Sequence, residues 1–364
     1  MSRSINMLVG PAPFIHERES TSSLAWGTSL ALLPAFIWGL YCFGPRSALV
    51  VGVAIASAAA AELLIGLLHR DFSLGDGTAF LSGFLIGLAM PPGVALYVPI
   101  AASLFAILVV KAAFGGLGSN WMNPALSGLV FALLNWPREM GTWMLPRQLG
   151  GAQALSGATP LGILKSSPSI GDTDLLGLLS RAGLRPSDFD RSITAFLNEE
   201  VFGHIGASLP SGYMDLFFGN RPGAIGELSG ILLLAASIIL LSRRMIRWEI
   251  PASIFASYGL LVWIFGALPS GGAFFSGDIL FELFSGSFIL VAFFMATDPV
   301  TSPATRVGML IYGFGIGVLT FLLRSFGSFP EGTAFAVIMM DCAVPLIEKI
   351  HTPARRGGKE ASRG

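Results

Sequence analysis

The feature that most limits the fold of this chain is a series of ten apolar runs separated by polar segments. Hydrophobic residues make up 53% of the chain and charged residues 12%, about half of the roughly 25% charged residues in a soluble domain. A helix that crosses a bilayer needs about 20 mostly apolar residues, and most of the runs approach this length. The sequence therefore predicts an all-α polytopic membrane protein.

The ten runs fall into two sets of five with a long polar loop between them. The first set is predicted at Leu24–Phe43, Ala48–Leu68, Gly77–Met90, Val94–Phe114 and Met122–Trp136. The second set is predicted at Ala224–Leu241, Pro251–Leu268, Ile279–Thr297, Val307–Leu323 and Gly332–Ile347. The third, fifth and tenth runs are shorter than a full span. Short or broken segments in matching positions of two halves are typical of binding sites near the membrane midplane.

An internal repeat supports the division into halves. At an offset of about 203 residues, Ser82-Gly83 matches Ser285-Gly286, and an apolar stretch that ends in proline follows each pair. Because five spans is an odd number, two halves with the same fold must lie inverted in the membrane. The predicted fold class is therefore ten transmembrane helices in two inverted five-helix repeats.

The positions of the basic residues predict the orientation in the membrane. Most lie on the side that would hold both termini, whereas the short loops of the other side carry only Arg46 and Arg324. Because lysine and arginine mark cytoplasmic loops, both termini are expected in the cytoplasm, with the chain in the bacterial inner membrane. The predicted parts are a cytoplasmic segment (1–23), a first membrane half (24–136), an extracytoplasmic loop (137–223), a second membrane half (224–350) and a cytoplasmic tail (351–364).

The composition excludes several classes of site. Cys42 and Cys342 are far apart in apolar runs, so they are interpreted as small buried hydrophobic residues and not as ligands of a cluster. The four histidines lie outside the apolar runs, which leaves no ligands for a haem in the membrane. No basic stripe with interleaved aromatic residues is present, so nucleic acid is not an expected partner. Redox chemistry in this chain would need an organic cofactor.

The polar loop contains the tetrapeptide Ser156-Gly157-Ala158-Thr159, followed by Pro160. A threonine that ends such a tetrapeptide outside the membrane is typical of sites where a flavin transferase esterifies the hydroxyl with the phosphate of FMN. The small neighbours are expected to leave the hydroxyl accessible, and a tethered flavin would supply the electron chemistry. The same residues also suit an ordinary turn, and a given tetrapeptide occurs by chance in about 1 in 100 chains of this length.

Ionisable residues in or beside membrane spans are costly and are therefore functional candidates. Arg221 and Glu227 belong to a glycine-rich segment before the sixth run, which could hold a phosphate or an anionic flavin or could simply cap a helix at the interface. Asp298 could cap the next helix or line an ion path. Glu227, Asp298 and Asp341 are the candidates for such a path, and neither a catalytic group nor a metal site is predicted.

Residues 165–215 form a more polar insert within the loop. The segments Asp174–Leu184 and Asp190–Val201 have a weak helical periodicity, which predicts a small cap. The acidic residues of the insert are interpreted as a solvated face and not as a metal site.

Several stretches carry a resemblance to a known family. They lie at 76–83 with 91–92, at 115–125, at 156–161, at 223–227, at 293–303 and at 331–346. On these stretches the chain resembles the D subunits of Rnf ion-translocating ferredoxin:NAD oxidoreductases, which are related to the B subunits of sodium-pumping NADH:quinone reductases. The similarity covers almost the whole chain apart from the insert and the tails.

The resemblance implies a flavoprotein with FMN joined covalently to Thr159 through a phosphoester, and in that sense a phosphoprotein. It implies electron transfer among membrane and peripheral subunits of the complex, coupled to export of Na⁺ or H⁺, and a flavin transferase for maturation. Members of the related reductase also hold riboflavin non-covalently, so riboflavin is a second candidate cofactor. Residues 150–155 lack the acidic residue often found just upstream of such sites, and the insert is a candidate contact for a partner specific to this complex.

Two other functions are compatible with the residues. Two inverted five-helix halves also suit a channel or facilitator for a small solute or ion with no redox cofactor. A purely structural subunit is the third reading. Bound flavin distinguishes the first hypothesis from the channel, and the structural hypothesis predicts that loss of Thr159 leaves the activity of the complex intact.

Overall fold

The computed structural model describes residues 20–69, 74–146, 157–166, 175–206, 208–270, 272–327 and 331–350. Within these ranges the chain consists of helices joined by turns and loops. The predicted site residue Ser156 lies outside the described residues, as do the stretch 150–155 and the carboxyl-terminal tail. An all-helical fold is confirmed for the part of the chain that the structure describes.

Five apolar helical segments lie before the long loop. They are α1 (Thr21–Phe43), α2 (Pro45–His69), α3 (Thr78–Leu88), α4 (Tyr97–Leu104, continued as a π-helix over Phe105–Ala112) and α5 (Pro124–Asn135). Each corresponds to one predicted run. Asn123 begins α5 by accepting a hydrogen bond from the backbone of Leu126, and Pro124 occupies the first helical position, where its missing N–H costs nothing.

The long loop carries short helices. They are α6 (Pro137–Met140), α7 (Pro160–Ser166), α8 (Leu175–Arg181), α9 (Asp188–Leu197, continued as a π-helix over Asn198–Phe202) and α10 (Tyr213–Phe218). The two helices predicted in the insert coincide with α8 and α9. Short 3₁₀ turns at Leu74–Asp76, Gly203–Ile205 and Leu268–Ser270 join neighbouring elements.

The second set of apolar segments departs from the prediction in two places. It comprises α11 (Gly230–Ser242), α12 (Glu249–Phe265), α13 (Ile279–Phe284), α14 (Phe288–Leu290, continued as a π-helix over Val291–Met295), α15 (Arg306–Phe326) and α16 (Gly332–Ile350). The sixth run was expected to be helical from Ala224, but residues up to Ser229 form a buried loop. The eighth run is a broken helix, interrupted at Ser285, Gly286 and Ser287.

The lengths of the helices agree with a membrane protein. Among the described residues, three helices are long and apolar enough to cross a membrane: Thr21–Phe43, Pro45–Leu68 and Arg306–Phe326. Five shorter apolar helices of 10–17 residues accompany them. Apolar side chains from both halves share one core.

The two halves meet closely, and their contacts define two ends of the bundle. Helix α1 packs on α11, and α5 packs on α16. At Gly39 of α1, a Cβ would lie 2.2 Å from the carbonyl oxygen of Ile225, so the absence of a side chain allows this approach. We call the end that holds α7 and the loop 219–229 the Thr159 end. The other end, which holds the start of α1 and the residues after α11, is the cleft end.

Candidate functional site

Thr159 lies at the start of α7 and caps that helix. Its Oγ1 accepts a hydrogen bond from the backbone N–H of Gly162 at 3.1 Å, and its carbonyl accepts one from Ile163 at 2.9 Å. This geometry turns the side chain inward, so that Thr159 is 3% exposed whereas Ala158 is exposed. The expectation of an accessible hydroxyl is therefore wrong for this conformation of the loop.

The small residue two positions before it has a packing role. Gly157 donates its N–H to the carbonyl of Trp143 at 3.1 Å, and a Cβ at Gly157 would lie 2.9 Å from the side chain of Leu145. The capping bond uses the oxygen of Thr159 as acceptor. Esterification would replace the hydroxyl hydrogen and keep that oxygen, so the cap is compatible with a phosphoester at Thr159.

Arg221 lies in a buried loop next to α7. Its side chain is 4% exposed, and its Nη2 donates to the carbonyl of Glu227 at 3.4 Å. Its Nε and Nη1 are buried and find no acceptor among the described residues. Unpaired buried donors are costly, and an arginine fork matches the oxygens of a phosphate. Arg221 is therefore suited to hold an anion that the chain itself does not supply.

A small cavity joins Arg221 to the helix that Thr159 begins. It measures about 390 Å³, counting space open to solvent, and Pro160, Arg185, Asn220 and Arg221 are among its lining residues. Glu227 accepts a hydrogen bond from the backbone of Ala224 through Oε1 at 3.0 Å. Its Oε2 and the Oδ1 of Asn220 are buried without a partner in the described ranges. The predicted Arg221 thus lines the same cavity as Pro160, the residue that follows the predicted Thr159, and Glu227 bonds to the loop that holds Arg221.

A second buried arginine completes the Thr159 end. Arg324, near the end of α15, donates to the Tyr258 hydroxyl at 3.1 Å, to the Glu282 carbonyl at 2.8 Å and to the Ser285 carbonyl at 3.1 Å. It also forms an ion pair with the Glu282 carboxylate at 3.3 Å. Its bonds to carbonyls at the interruption of the eighth run depend on that break in the helix. From its position after the ninth apolar run, Arg324 is predicted only as a basic residue of a short outer loop.

Glu331 binds the same interruption from the other side. Its Oε2 accepts hydrogen bonds from the backbone N–H of Ser287, at 3.1 Å, and from the Ser287 hydroxyl. Gly286, between Ser285 and Ser287, has a φ of +69°, which favours glycine. An ionisable residue beside a Ser-Gly-Ser break in an apolar run is the sequence signal that could have identified Glu282, whereas Glu331 is brought to the break only by the tertiary fold.

The helix α7 rests on this second group. A Cβ at Gly286 would lie 2.8 Å from both the Leu161 side chain and Glu331 Oε1, and 3.1 Å from Arg324 Nη2. Lys165 donates to the carbonyl of Gly327 at 2.8 Å. Burial, together with the positive charge of Arg324, lowers the pKa of Lys165. Arg221 and Glu227 also interact electrostatically with Glu331 and Arg324, so the charges of the Thr159 end form one network.

The cleft end contains a larger cavity. It encloses about 890 Å³, counting space open to solvent. Thr78, Lys111, Asn120, Asn123 and Asp298 contribute polar groups, and leucines and Phe294 contribute apolar surface. The Oδ1 of Asn120 is buried and has no partner within the described chain.

A buried ion pair lies at the wall of this cleft. Lys111 Nζ is 2.7 Å from Glu62 Oε1 and donates to the Thr78 hydroxyl at 2.9 Å. Lys111 and Glu62 are each 4% exposed. Lys111 lies within the predicted run Val94–Phe114, and its side chain is inside the helical bundle.

Asp341 is held by residues of the cleft end. It accepts hydrogen bonds from the Tyr312 hydroxyl at 2.5 Å and from the Asn123 backbone at 3.0 Å, and it interacts electrostatically with Asp298. Glu227 is at the Thr159 end, so the three predicted ion-path acids do not form one cluster. Within the described residues no group of three or more histidine, cysteine or acidic side chains could hold a metal ion.

The structure also decides how the helix after Asp298 begins. Asp298 accepts a hydrogen bond from the backbone of Val300 at 3.2 Å, which closes a local turn. The residue that caps α15 is Thr305, whose Oγ1 accepts from Gly308 at 3.0 Å. Asp298 is therefore not the helix cap, and its side chain lines the cleft.

Comparison with known proteins gives a consistent result. A family model described as the NQR2, RnfD, RnfE family matches residues 8–357. The chain is 34% identical over 350 residues to the D subunit of the proton-translocating ferredoxin:NAD(+) oxidoreductase complex of Clostridium ljungdahlii, with 96% of each chain covered. It is 37% identical to the D subunit of the ion-translocating oxidoreductase complex of Stutzerimonas stutzeri, with 93% of each chain covered.

A third relative carries a different coupling ion in its name. The D subunit of the Na(+)-translocating ferredoxin:NAD(+) oxidoreductase complex of Acetobacterium woodii is 32% identical, over 95% of this chain and 93% of its own. Relatives named for protons and for sodium are thus similar to this chain to nearly the same degree. Overall identity therefore does not select the ion.

Proposed function

Because the chain belongs to the NQR2, RnfD, RnfE family, we propose that it is the D subunit of an Rnf-type ion-translocating ferredoxin:NAD oxidoreductase. In this role it carries electrons through FMN esterified to Thr159 and works with membrane and peripheral partner subunits of the complex. A flavin transferase attaches the FMN. The bound flavin supplies one- and two-electron chemistry, and the chain supplies position and charge.

The observation that carries this proposal is the pair of unpaired donors on buried Arg221, beside the helix that Thr159 begins. An arginine left with two free N–H groups away from water needs an acceptor, and the phosphate of a tethered FMN would bring oxygens into its vicinity. The cavity between Pro160 and Arg221 offers room for that group. Since Thr159 is buried, attachment requires the loop to open before the transferase can reach the hydroxyl.

The cleft end is the proposed place for a second, non-covalent flavin, of which riboflavin is the candidate. Its wall of polar and apolar groups suits a planar heteroaromatic ring with polar edges. The buried Asn120 Oδ1 lacks a partner there among the described residues, and the N–H edge of an isoalloxazine ring is a donor that would satisfy it.

The membrane arrangement is part of the proposal. Ten spans are obtained when the broken helix α13–α14, the five shorter apolar helices and α16 are counted with the three long ones. The halves run in opposite directions, both termini are in the cytoplasm, and the Thr159 end faces the outer side of the bacterial inner membrane. The charge distribution of the loops supports this orientation.

The acids of the cleft end are proposed to take part in ion movement. Asp298 faces the cavity, and Asp341 lies behind it on Tyr312 and Asn123. Buried acids in a membrane bundle mark ion pathways more often than structural caps. Glu227 would act at the opposite end of such a path, and the transported ion is Na⁺ or H⁺.

The experiment that tests the proposal uses the purified complex. After denaturation and gel electrophoresis, the wild-type chain is expected to carry a fluorescent flavin and the mass of one added FMN, and Thr159→Ala is expected to carry neither. Ser166→Ala removes a hydroxyl from the other end of the same helix and should keep the fluorescence. An unmodified wild-type chain that admits a solute into liposomes by itself would instead support the channel hypothesis.

A further inference from the structure

Each end of the bundle holds one buried cation near the end of the fourth helical segment of its half. Lys111 is followed by one more residue before the α4 segment ends at Ala112. Arg324 is followed by two before α15 ends at Phe326. The two side chains are almost fully buried, at 4% and 5% exposure, and they lie at opposite ends of the bundle.

The partners of the two cations come from matching segments as well. Lys111 binds Glu62, on the second helix of its half, and Thr78, the first residue of the third. Arg324 binds Tyr258, on the second helix of its half, and Glu282, on the short helix that starts the third segment. The inverted repeat that we propose places one cation of this kind at each membrane face.

Both cations adjoin the places proposed for flavin. Lys111 lines the cleft directly. Arg324 Nη2 and the Leu161 side chain, which belongs to α7, approach the same point at Gly286, within 3.1 and 2.8 Å of its would-be Cβ. The Nε of Arg324 is buried and makes no hydrogen bond in the part of the chain described. Each cation therefore places a positive charge close to a proposed cofactor site, while its hydrogen bonds are made to other residues of the protein.

Reduction of a flavin by one electron, delivered from a redox carrier of a partner subunit, adds negative charge to a site of low dielectric constant. A fixed cation nearby stabilises that charge, and a fixed anion opposes it. Each cation is paired with one carboxylate, so the local field depends on both members of the pair. Removing one member leaves the other uncompensated.

We infer that Arg324 and Lys111 are positioning residues that set the reduction potentials of the outer and the inner flavin, respectively, each acting on the flavin of its own end. This inference rests on the proposed function. Removing a cation should lower the midpoint potential of the flavin beside it, and neutralising its carboxylate partner should raise it. The other flavin should not respond.

The test is a spectroscopic redox titration of the purified complex. The Thr159→Ala complex, which lacks the outer flavin, is subtracted to isolate that flavin. Arg324→Met is expected to change the equilibrium constant for one-electron reduction of the outer flavin by about tenfold, which corresponds to a shift of about 59 mV to lower potential. Arg324→Lys should stay close to wild type, and Glu282→Gln should shift the potential upward.

The same pattern is expected at the other end. Lys111→Met should lower, and Glu62→Gln should raise, the potential of the flavin released on denaturation, without moving the gel-stable flavin. Glu282→Gln and Glu62→Gln keep the side-chain size, so they test the inference even if the cation variants do not fold.

The outcomes separate the inference from the function on which it depends. Gel-stable flavin whose potential is the same in wild type, Arg324→Met and Glu282→Gln would overturn the inference and leave the proposed function standing. Shifts that do not follow the sign of the removed charge, or that appear equally at both flavins, would overturn it too. A wild-type complex with no gel-stable flavin would refute the proposed function and the inference with it.

Discussion

The two ends of the bundle solve the problem of buried polar groups in different ways. At the Thr159 end, Arg221, Arg324, Glu227, Glu282 and Glu331 share one network with a small cavity beside it. At the cleft end the buried ion pair of Lys111 and Glu62 borders a cavity of about 890 Å³, counting space open to solvent. A tightly filled region suits a cofactor fixed by a covalent bond, whereas an open cleft suits one that enters and is held by non-covalent contacts.

The two ends also differ in whether the buried cation binds backbone carbonyls of a broken helix or only side chains. At the Thr159 end the break in the eighth run exposes backbone carbonyls of Glu282 and Ser285, and Arg324 binds both. At the cleft end Lys111 binds the side chains of Glu62 and Thr78. The polar groups of irregular backbone inside a membrane protein must be hydrogen-bonded by other protein groups. Arg324 therefore stabilises the broken helix by binding its carbonyls, and Lys111 has no such role.

The largest expected effect concerns the independence of the two proposed flavins. Thr159→Ala should remove all of the flavin that survives denaturation and leave the releasable flavin at its wild-type amount, because the two sites are at opposite ends. Acid precipitation followed by chromatography of the supernatant and of the digested pellet measures both pools. Loss of both pools together would show that the ends are not independent.

The next effect concerns the stability of the two ion pairs. Lys111→Met should lower the free energy of unfolding by about 3–5 kcal/mol because it removes the cation that pairs with the buried Glu62 carboxylate. Glu62→Gln in the same chain should restore most of that stability. Arg324→Met should lower the free energy of unfolding by at least as much. Adding Glu282→Gln should restore only part of it, since two carbonyls remain unpaired. Thermal unfolding followed by tryptophan fluorescence measures the four variants, and equal rescue at both ends would contradict this account.

Removing the caps of two helices, α5 and α11, is expected to lower the free energy of unfolding by smaller and unequal amounts. Asn123→Ala removes the cap of α5 and the donor to the Met295 carbonyl, with a cost of about 2–4 kcal/mol. Ser229→Ala removes only the cap of α11, whose hydrogen bond is long at 3.4 Å, with a cost of about 1 kcal/mol. The same unfolding assay measures both, and a larger loss for Ser229→Ala would reverse the ranking.

The smallest effect is expected in the insert. Arg191 and Asp188 form an exposed pair at 3.4 Å, and such pairs add little to stability. Arg191→Ala should leave both flavin pools and the unfolding temperature unchanged. A loss of either flavin pool in this variant would place the insert in the flavin sites and weaken the contrast between the ends.

Particular elements show what could be foreseen. The starts and ends of α1, α2 and α15 lie within a few residues of the predicted runs, because long apolar segments leave few alternatives. The start of the sixth span was wrong, since the loop before Ser229 is apolar enough to be buried without being helical. The break in the eighth run was missed, because serine and glycine also occur within intact helices, as Ser82-Gly83 does in α3.

By itself, the sequence determined the helical membrane character, the division into two sets of apolar segments, the family, and the separate candidates Thr159, Arg221 and Glu227, because these depend on local composition and motifs. Only the tertiary structure decided that Glu227 lies apart from Asp298 and Asp341, and that Arg324 and Lys111 are buried at opposite ends. Those facts depend on contacts between helices far apart in the chain. The burial of a charge is decided by the side chains that pack around it, and no local pattern of residues records them.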